Sequence, residues 1–270
     1  MGCFRKMLAF IKRDFLIVKS YKLDFILNWG GMVTTTLTFY FISRMFGRVM
    51  NPYMAKYGTE YFPFVIIGIA FSTYLFTAIN SLSNNLRTEQ MTGTLEMLLL
   101  TPTRVRELII GMSLWDFVFS STRVFGYILI GVLFLGLDIN NISIIASLVV
   151  LVFTIISFSG LGIIAASIIM LFKKGAPFSW FVSTFASLFG GTYFPIEVLP
   201  EPLRYISYLL PITYSLRSLR YTILKGYSIG DIKGDLFILI IYSIILVPVS
   251  ILIFKMALKR AKVKGSLAHY

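Results

Sequence analysis

The sequence predicts an all-α membrane protein with six transmembrane helices, and three observations lead to this fold class. Of the 270 residues, 57% are apolar and only 14% are charged, whereas a soluble domain contains roughly 25% charged residues. Several uncharged stretches reach the length of about 20 residues that a helix needs to cross a bilayer. The Lys and Arg residues behind the net charge of +13 flank these stretches, so we expect membrane lipid, and no nucleic acid, as their partner.

The N-terminal residues 1–23 are predicted to form an amphipathic interfacial helix. Apolar residues recur at helical spacing on one face, and Lys and Arg residues occupy another. A basic helix of this kind lies in the headgroup region of a bilayer. A solvated basic tail is the alternative, and the apolar stripe favours the interfacial helix.

Residues 24–258 are predicted to form a six-span transmembrane domain, because they contain six apolar stretches of spanning length. The fourth stretch holds 34 uncharged residues, too many for one upright span, so we expect a tilted helix or an initial interfacial part. A basic tail, 259–270, follows the last span. The predicted spans are residues 25–43, 61–86, 108–135, 139–172, 175–196 and 236–254.

Two charged residues lie inside the third predicted span. Asp116 and Arg123 are seven residues apart and therefore share a helix face. Because a helical side chain leans toward the helix N-terminus, we expect a direct or water-bridged ion pair between them. Such a pair either fixes helix packing or takes part in transport, and the sequence leaves both alternatives open.

The region 190–235 is interrupted too often to be a simple span. It contains Pro200, Pro202 and Pro211 among alternating apolar and basic residues. Irregular backbone at membrane depth must be buried in protein or line a wet cavity. We therefore expect two short re-entrant helices on the outer side of the membrane.

Charge counting predicts the orientation. Six spans place both termini on one side of the membrane, together with the polar segment 84–107. The segments on that side contain 16 Lys and Arg residues, and the loops on the other side contain eight. By the positive-inside rule, both termini and the polar segment are expected to be cytoplasmic.

The polar segment 84–107 is predicted to contain an amphipathic helix from Glu89 to about Leu99. Gly93 costs about 1 kcal/mol relative to alanine inside a helix, which indicates a break there or the close approach of another backbone. A solvated linker and a helix that docks on a polar partner both fit this pattern. The polar side of the helix consists of Glu89, Thr92, Gly93 and Glu96, and the apolar side consists of Met91, Leu95, Leu98 and Leu99.

Two motifs give the chain a resemblance to a known family. The first is Glu89 followed by GTLE at 93–96, LL at 98–99 and TP at 101–102. The second is GGTYFP at 190–195, with LP at 199–200 and Pro211 after it. With six spans, an interfacial helix and a length near 270 residues, the chain resembles ATP-binding-cassette (ABC) exporter permeases of the second type.

The resemblance implies a permease subunit whose short cytoplasmic helix docks on a separate ABC ATPase subunit and transmits its closure to the spans. It also implies a pair of permeases, formed by two copies or by this chain and a relative, which meet through the first and fifth spans. The coupling contact would be made by Glu89, Gly93, Thr94, Leu95, Glu96 and Leu98. The outer gate would be formed by Gly190, Gly191, Tyr193, Pro195, Pro200 and Pro211.

The chain itself contains no G-x-x-x-x-G-K-[ST] phosphate loop, so ATP and Mg²⁺ are expected on the partner ATPase and no cofactor on this chain. Its only histidine is His269 and its only cysteine is Cys3. We therefore expect no metal site and no catalytic cluster, which makes an integral-membrane enzyme acting on lipids the less favoured class.

The substrate is predicted from the family branch that the polar segment resembles, which is the drug exporters. An amphiphilic drug, lipid or natural product would leave the cytoplasm or inner leaflet, and a lipid-linked polysaccharide is the alternative. We expect a multi-pass protein of a prokaryotic cell membrane. Aromatic and hydroxyl side chains that could contact the substrate are Trp29, Thr34, Thr38 and Phe181.

Overall fold

The computed structural model describes residues 3–101, 103–137, 141–172 and 176–263, and nearly all of these are helical. Single 3-10 turns at Ala55–Tyr57 and Ile196–Val198 lie between α-helices. The predicted all-α fold is confirmed over the described residues. The α-helices are α1 (Cys3–Ser20), α2 (Lys22–Met54), α3 (Tyr61–Met91), α4 (Leu95–Leu100), α5 (Val105–Leu135), α6 (Ile144–Phe172), α7 (Ala176–Phe189), α8 (Glu201–Tyr208), α9 (Pro211–Leu224) and α10 (Lys233–Val263).

Five of the described helices are long and apolar enough to cross a membrane, namely α2, α3, α5, α6 and α10. The fifth predicted span, residues 175–196, is not among these five helices. Its described helix α7 has 14 residues, which at 1.5 Å per residue gives about 21 Å against a hydrocarbon core of about 30 Å. The described residues thus contain five long helices and one short apolar helix, and the six-span layout stays a prediction.

Several boundaries also differ from those predicted. The first span is part of a 33-residue helix that continues through Pro52, which lies in its last turn. The fourth span begins as α6 at Ile144 and has 29 residues, so the excess length of the uncharged stretch lies outside the helix. The sixth span extends to Val263, beyond the predicted start of the tail.

Helix α3 is the centre of the bundle. In the most apolar 18-residue stretch of α3, 72% of the residues are buried, whereas in the corresponding stretch of α2 only 11% are buried. Helices α2, α5, α6, α7 and α9 all pack on α3. At Gly162 of α6, an added Cβ would lie 1.8 Å from the Ala78 carbonyl oxygen of α3, so this backbone contact requires glycine.

The region 190–235 contains the two short helices α8 and α9, and their re-entrant placement on the outer side stays a prediction. Pro202 and Pro211 lie in their first turns, where proline's fixed φ suits a helix and its missing N–H has no partner to lose. Helix α9 packs among α3, α6 and α10 and is largely buried. It thus forms part of the core beside α3.

Candidate functional site

The polar segment does not form one helix. Helix α3 ends at Met91, Gly93 adopts a left-handed φ of 72°, and α4 begins at Leu95. The N–H of Thr94 donates to the Glu89 carbonyl oxygen at 3.0 Å across the turn. The break that Gly93 indicated is confirmed, and the continuous helix from Glu89 to Leu99 is corrected, because a left-handed residue ends a helix.

The turn at Gly93 also changes which apolar residues are buried. Leu95 is fully buried in a cluster with residues of α3, α5, α6 and α10, and Leu98 and Leu99 are partly buried against it. Met91, which was predicted to share their face, is 62% exposed, because it lies before the break. Met97 and Leu100 are 70% and 86% exposed. Helix α4 therefore docks through Leu95 and presents apolar side chains to its surroundings.

Glu89 makes its contacts within the chain. Its carboxylate accepts hydrogen bonds from Arg13 of α1, at 2.7 Å, and from the Thr94 hydroxyl. Arg13 also donates to Asp14 at 2.8 Å. The structure thus brings two predicted coupling residues, Glu89 and Thr94, together, while Gly93 is exposed and the side chain of Glu96 lies outside the described residues.

A second ion pair joins α1 to the other end of the polar segment. Lys6 donates to Glu107 at 2.8 Å. The aromatic ring of Phe10 covers Gly111 of α5, where an added Cβ would lie 2.5 Å from the ring. Helix α1 therefore contacts both α3 and α5 at the same end of the bundle. Sequence reasoning missed both ion pairs that join α1 to the polar segment. The two residues of each pair are 76 and 101 positions apart, and only their opposite charges relate them in the sequence.

Asp116 and Arg123 do not form the direct ion pair that their spacing predicted. Asp116 accepts from Ser81 at 2.5 Å and from Asn85 at 2.9 Å. Arg123 donates to Asn28 of α2 at 2.9 Å. The ion pairs between described residues include none between Asp116 and Arg123. Two helical turns separate the two residues by about 10 Å along the axis, and neighbouring helices supply nearer partners.

A cavity beside the polar segment has a volume of about 600 Å³. It lies between α1, the end of α3, α4 and α5, and Arg13, Asp14, Glu89, Trp115 and Asp116 are among its lining residues. Burial raises the pKa of the Asp14 carboxyl, although the hydrogen bond from Arg13 lowers it. The Glu89 and Asp116 carboxylates raise it further. The cavity wall thus combines apolar side chains with three carboxylates and the guanidinium of Arg13.

Two further cavities continue from this one along α3 and α5. The next, of about 320 Å³, shares Asn85 and Asp116 with it and includes Arg123. The third, of about 400 Å³, also includes Arg123 and is lined mainly by α2. Asp116 and Arg123 thus both line the second cavity, and the water-bridged form of their predicted pair stays a prediction.

The four predicted pathway residues lie elsewhere. None of them lines any of these three cavities. The hydroxyls of Thr34 and Thr38 donate to the carbonyls of Gly30 and Thr34 in their own helix, at 2.9 and 2.8 Å. Trp29 packs against Gly126, and Phe181 is 59% exposed. The structure therefore does not bring Trp29, Thr34, Thr38 and Phe181 together.

The predicted gate residues fall into two groups. Gly190, Gly191, Tyr193 and Pro195 belong to the turn after α7, while Pro200 and Pro211 immediately precede or begin α8 and α9. The ring of Tyr193 stacks on Phe39 of α2, with 5.7 Å between ring centres. The turn is therefore packed against the bundle, and its role as a gate stays a prediction.

Arg220 is the main buried residue that sequence reasoning missed. It is only 2% exposed and donates to the carbonyl oxygens of Phe64 and Thr192, both at 3.1 Å. Its guanidinium lies 3.4 Å from the centre of the Phe64 ring. One cation thus joins α9, α3 and the turn after α7. The sequence did not indicate its burial, because a helical pattern does not show which faces are covered.

Among the described residues, no group of three or more His, Cys, Asp or Glu side chains is placed to hold a metal ion. The polar segment, the cavities and the turn after α7 therefore stand as the candidate functional features. A family model described as "ABC-2 type transporter" matches residues 5–224, from α1 to the last residue of α9. No curated protein matches the chain.

Proposed function

The chain belongs to the ABC-2 type transporter family, and from this premise we propose that it is the permease subunit of an exporter driven by a separate ATPase. The family is a transport component and is not itself catalytic. The exported molecule would be an amphiphilic drug, lipid or natural product. The protein would lie in a prokaryotic cell membrane with both termini in the cytoplasm, and ATP with Mg²⁺ would bind to the ATPase.

One observation carries the proposal: Met97 and Leu100, one helical turn apart on α4, and Met91 at the end of α3 are exposed apolar side chains on an otherwise polar segment. The exposed fractions of Met91, Met97 and Leu100 are 62%, 70% and 86%. Neighbouring exposed apolar side chains such as those of Met97 and Leu100 are typical of a protein interface, and methionine is enriched in such interfaces. Because Leu95 anchors α4 in the bundle, a displacement of α4 by an ATPase would reach α3 and α5 directly.

The substrate class is supported by the first cavity. Its volume of about 600 Å³ falls in the range of about 300–1,000 Å³ typical of small-molecule sites. Its wall combines Trp115 and aliphatic side chains with the Asp116 and Glu89 carboxylates. Such a wall provides both the apolar contacts and the polar partners that an amphiphile requires.

The proposal is tested with the chain purified from its native membrane together with the ATPase that accompanies it, identified by mass spectrometry. Met97→Asp with Leu100→Asp should abolish co-purification, because two charges cannot be buried in an apolar interface. The matched control is Val263→Asp, at a residue that is 82% exposed at the end of α10. It should co-purify normally.

Retention of the ATPase by the double variant, at the level of the control, would contradict the proposed contact. Export is measured separately, in inside-out vesicles to which ATP and either a fluorescent amphiphile or a lipid-linked glycan are added from outside. Accumulation driven by ATP hydrolysis with the first probe is expected. Movement of the glycan alone would instead support the polysaccharide alternative.

A further inference from the structure

An apolar cleft of about 390 Å³ runs along the outside of the bundle between α5 and the α6–α10 pair. Its floor is formed by Ala78 and Leu82 of α3. The cleft exists because α5 and α6 each pack extensively on α3 but hardly contact each other. The opposite wall is formed by Ile155, Ile156, Ser159 and Ile163 of α6 with Val247 and Ile251 of α10.

The α5 wall of the cleft follows a single helical stripe, in which residues repeat every three or four positions. It begins at Arg106 and ends at Phe117, eleven residues later. At 1.5 Å per residue this is about 16 Å, or roughly half of a 30 Å hydrocarbon core. The cleft therefore has the length of one leaflet. The members of the stripe are Arg106, Ile109, Ile110, Ser113, Leu114 and Phe117.

Two cations lie at one end of this cleft. Arg106 is exposed in the first turn of α5. On α10, Lys255 follows Ile251 by one helical turn and is exposed on the same stripe. The ion pairs formed by the described residues include neither of them. Both belong to the end of the bundle at which the polar segment lies, the predicted cytoplasmic side.

An apolar cleft that opens toward lipid does not stay empty, since an unfilled void loses the dispersion contacts of its lining. Water is excluded because the wall offers almost no polar partner. A straight hydrocarbon chain matches the cleft in length and chemistry. The side chains of Arg106 and Lys255 at the end of the cleft can pair with a lipid phosphate. The cytoplasmic leaflet is the one that carries anionic lipid.

We propose that this cleft is a binding site for an anionic phospholipid of the cytoplasmic leaflet. One acyl chain fills the cleft, and the phosphate contacts Arg106 and Lys255. The bound lipid connects α5 to the α6–α10 pair, which otherwise meet only through α3. This site does not depend on the proposed exporter function or on an ATPase partner.

The headgroup contact is tested by native mass spectrometry of the full chain in detergent, titrated with dioleoyl phosphatidylglycerol. Each basic residue near an anionic headgroup contributes about 1 kcal/mol, so Arg106→Gln with Lys255→Gln should weaken the tightest binding event roughly 30-fold. Lys259→Gln with Arg260→Gln removes the same charge from exposed residues one turn further along α10 and should leave this event unchanged. Equal losses in both double variants would overturn the headgroup site.

The acyl-chain contact is tested by filling the cleft. Ser113→Phe should lower the affinity for dioleoyl phosphatidylglycerol at least tenfold, and the zwitterionic dioleoyl phosphatidylcholine should bind the unaltered chain more weakly than the anionic lipid. The control is Leu252→Phe, which adds the same ring at a residue of α10 that is 59% exposed and does not line the cleft. Undiminished binding by Ser113→Phe would overturn the acyl-chain site. If Ser113→Phe does not fold, the double variant Arg106→Gln with Lys255→Gln still tests the proposal, because both of these residues are exposed.

Discussion

Arg220 shows how one buried cation can join three parts of a membrane bundle. Its two hydrogen bonds go to backbone carbonyls of α3 and of the turn after α7, and its guanidinium stacks on Phe64. No carboxylate is needed, because two carbonyl dipoles and an aromatic face stabilise the charge. The turn that the family resemblance identifies with an outer gate is thus bonded to the core.

Replacing Arg220 tests this arrangement. Arg220→Leu removes two buried hydrogen bonds and the guanidinium–ring contact, which we expect to lower the free energy of unfolding by about 3 kcal/mol. Arg220→Lys should recover part of the loss, since an ammonium keeps the charge but not the planar fork. Thermal unfolding in detergent measures both. Arg5→Leu, at an exposed residue of α1, is the control, and equal stability of the two leucine variants would contradict the role of Arg220.

Asp116 and Arg123 lead to a prediction about additivity. Because each has its own polar partners on another helix, Asp116→Asn and Arg123→Gln should destabilise the protein independently. We expect the double variant to equal the sum of the single variants within about 0.5 kcal/mol. A double-mutant cycle from unfolding measurements checks this. A coupling well above 1 kcal/mol would restore the direct pair that the sequence predicted.

At the scale of elements, the break between α3 and α4 determines what the polar segment presents. A single helix would have placed Met91 beside Leu95, yet the left-handed Gly93 separates them and leaves Met91 exposed. Helix α4 has only six residues, too few to be stable alone. Its position therefore depends on Leu95 in the buried cluster and on the turn before it.

Gly93 can be tested without reference to any partner. Nothing lies within 4 Å of the place of an added Cβ, so only the positive φ opposes substitution. Gly93→Val should destabilise the fold by about 1–2 kcal/mol, while Gly93→Asn should cost less, because asparagine adopts left-handed backbone more readily. Unfolding midpoints compare the two variants. A valine variant as stable as the asparagine variant would contradict the assigned conformation.

At the scale of the whole molecule, the bundle is asymmetric in burial. Helix α3 is enclosed on most sides, whereas α2 has only 11% of its most apolar window buried. Its uncovered residues include Phe41, which is 60% exposed. Lipid can cover such a helix, and so can a second permease. The family resemblance favours a second copy on the first and fifth spans.

Cysteine cross-linking in native membranes shows whether α2 is covered by lipid or by a second permease. In a Cys3→Ser background, which removes the only native cysteine, Phe41→Cys should give a covalent dimer with a short bifunctional maleimide. Leu252→Cys, at a residue of α10 that is 59% exposed, should remain monomeric. Dimers from Leu252→Cys alone would place the partner on α10 and would contradict the predicted interface on α2.

The sequence by itself determined the features that depend on neighbouring residues. Hydropathy and flanking charge located the long helices, Gly93 indicated the break in the polar segment, and the prolines indicated α8 and α9. These signals are local, because helix formation, backbone strain and membrane insertion act over a few residues at a time.

Only the tertiary structure decided the partners of the charged residues. Glu89 meets Arg13 across 76 positions, Asp116 meets Ser81 across 35, and Arg220 meets Phe64 across 156. Spacing within one helix suggested Arg123 as the partner of Asp116, but helices packed on α3 supplied closer groups. The lipid cleft likewise could not be predicted from the sequence. It forms because α5 and α6 both pack on α3 but hardly contact each other.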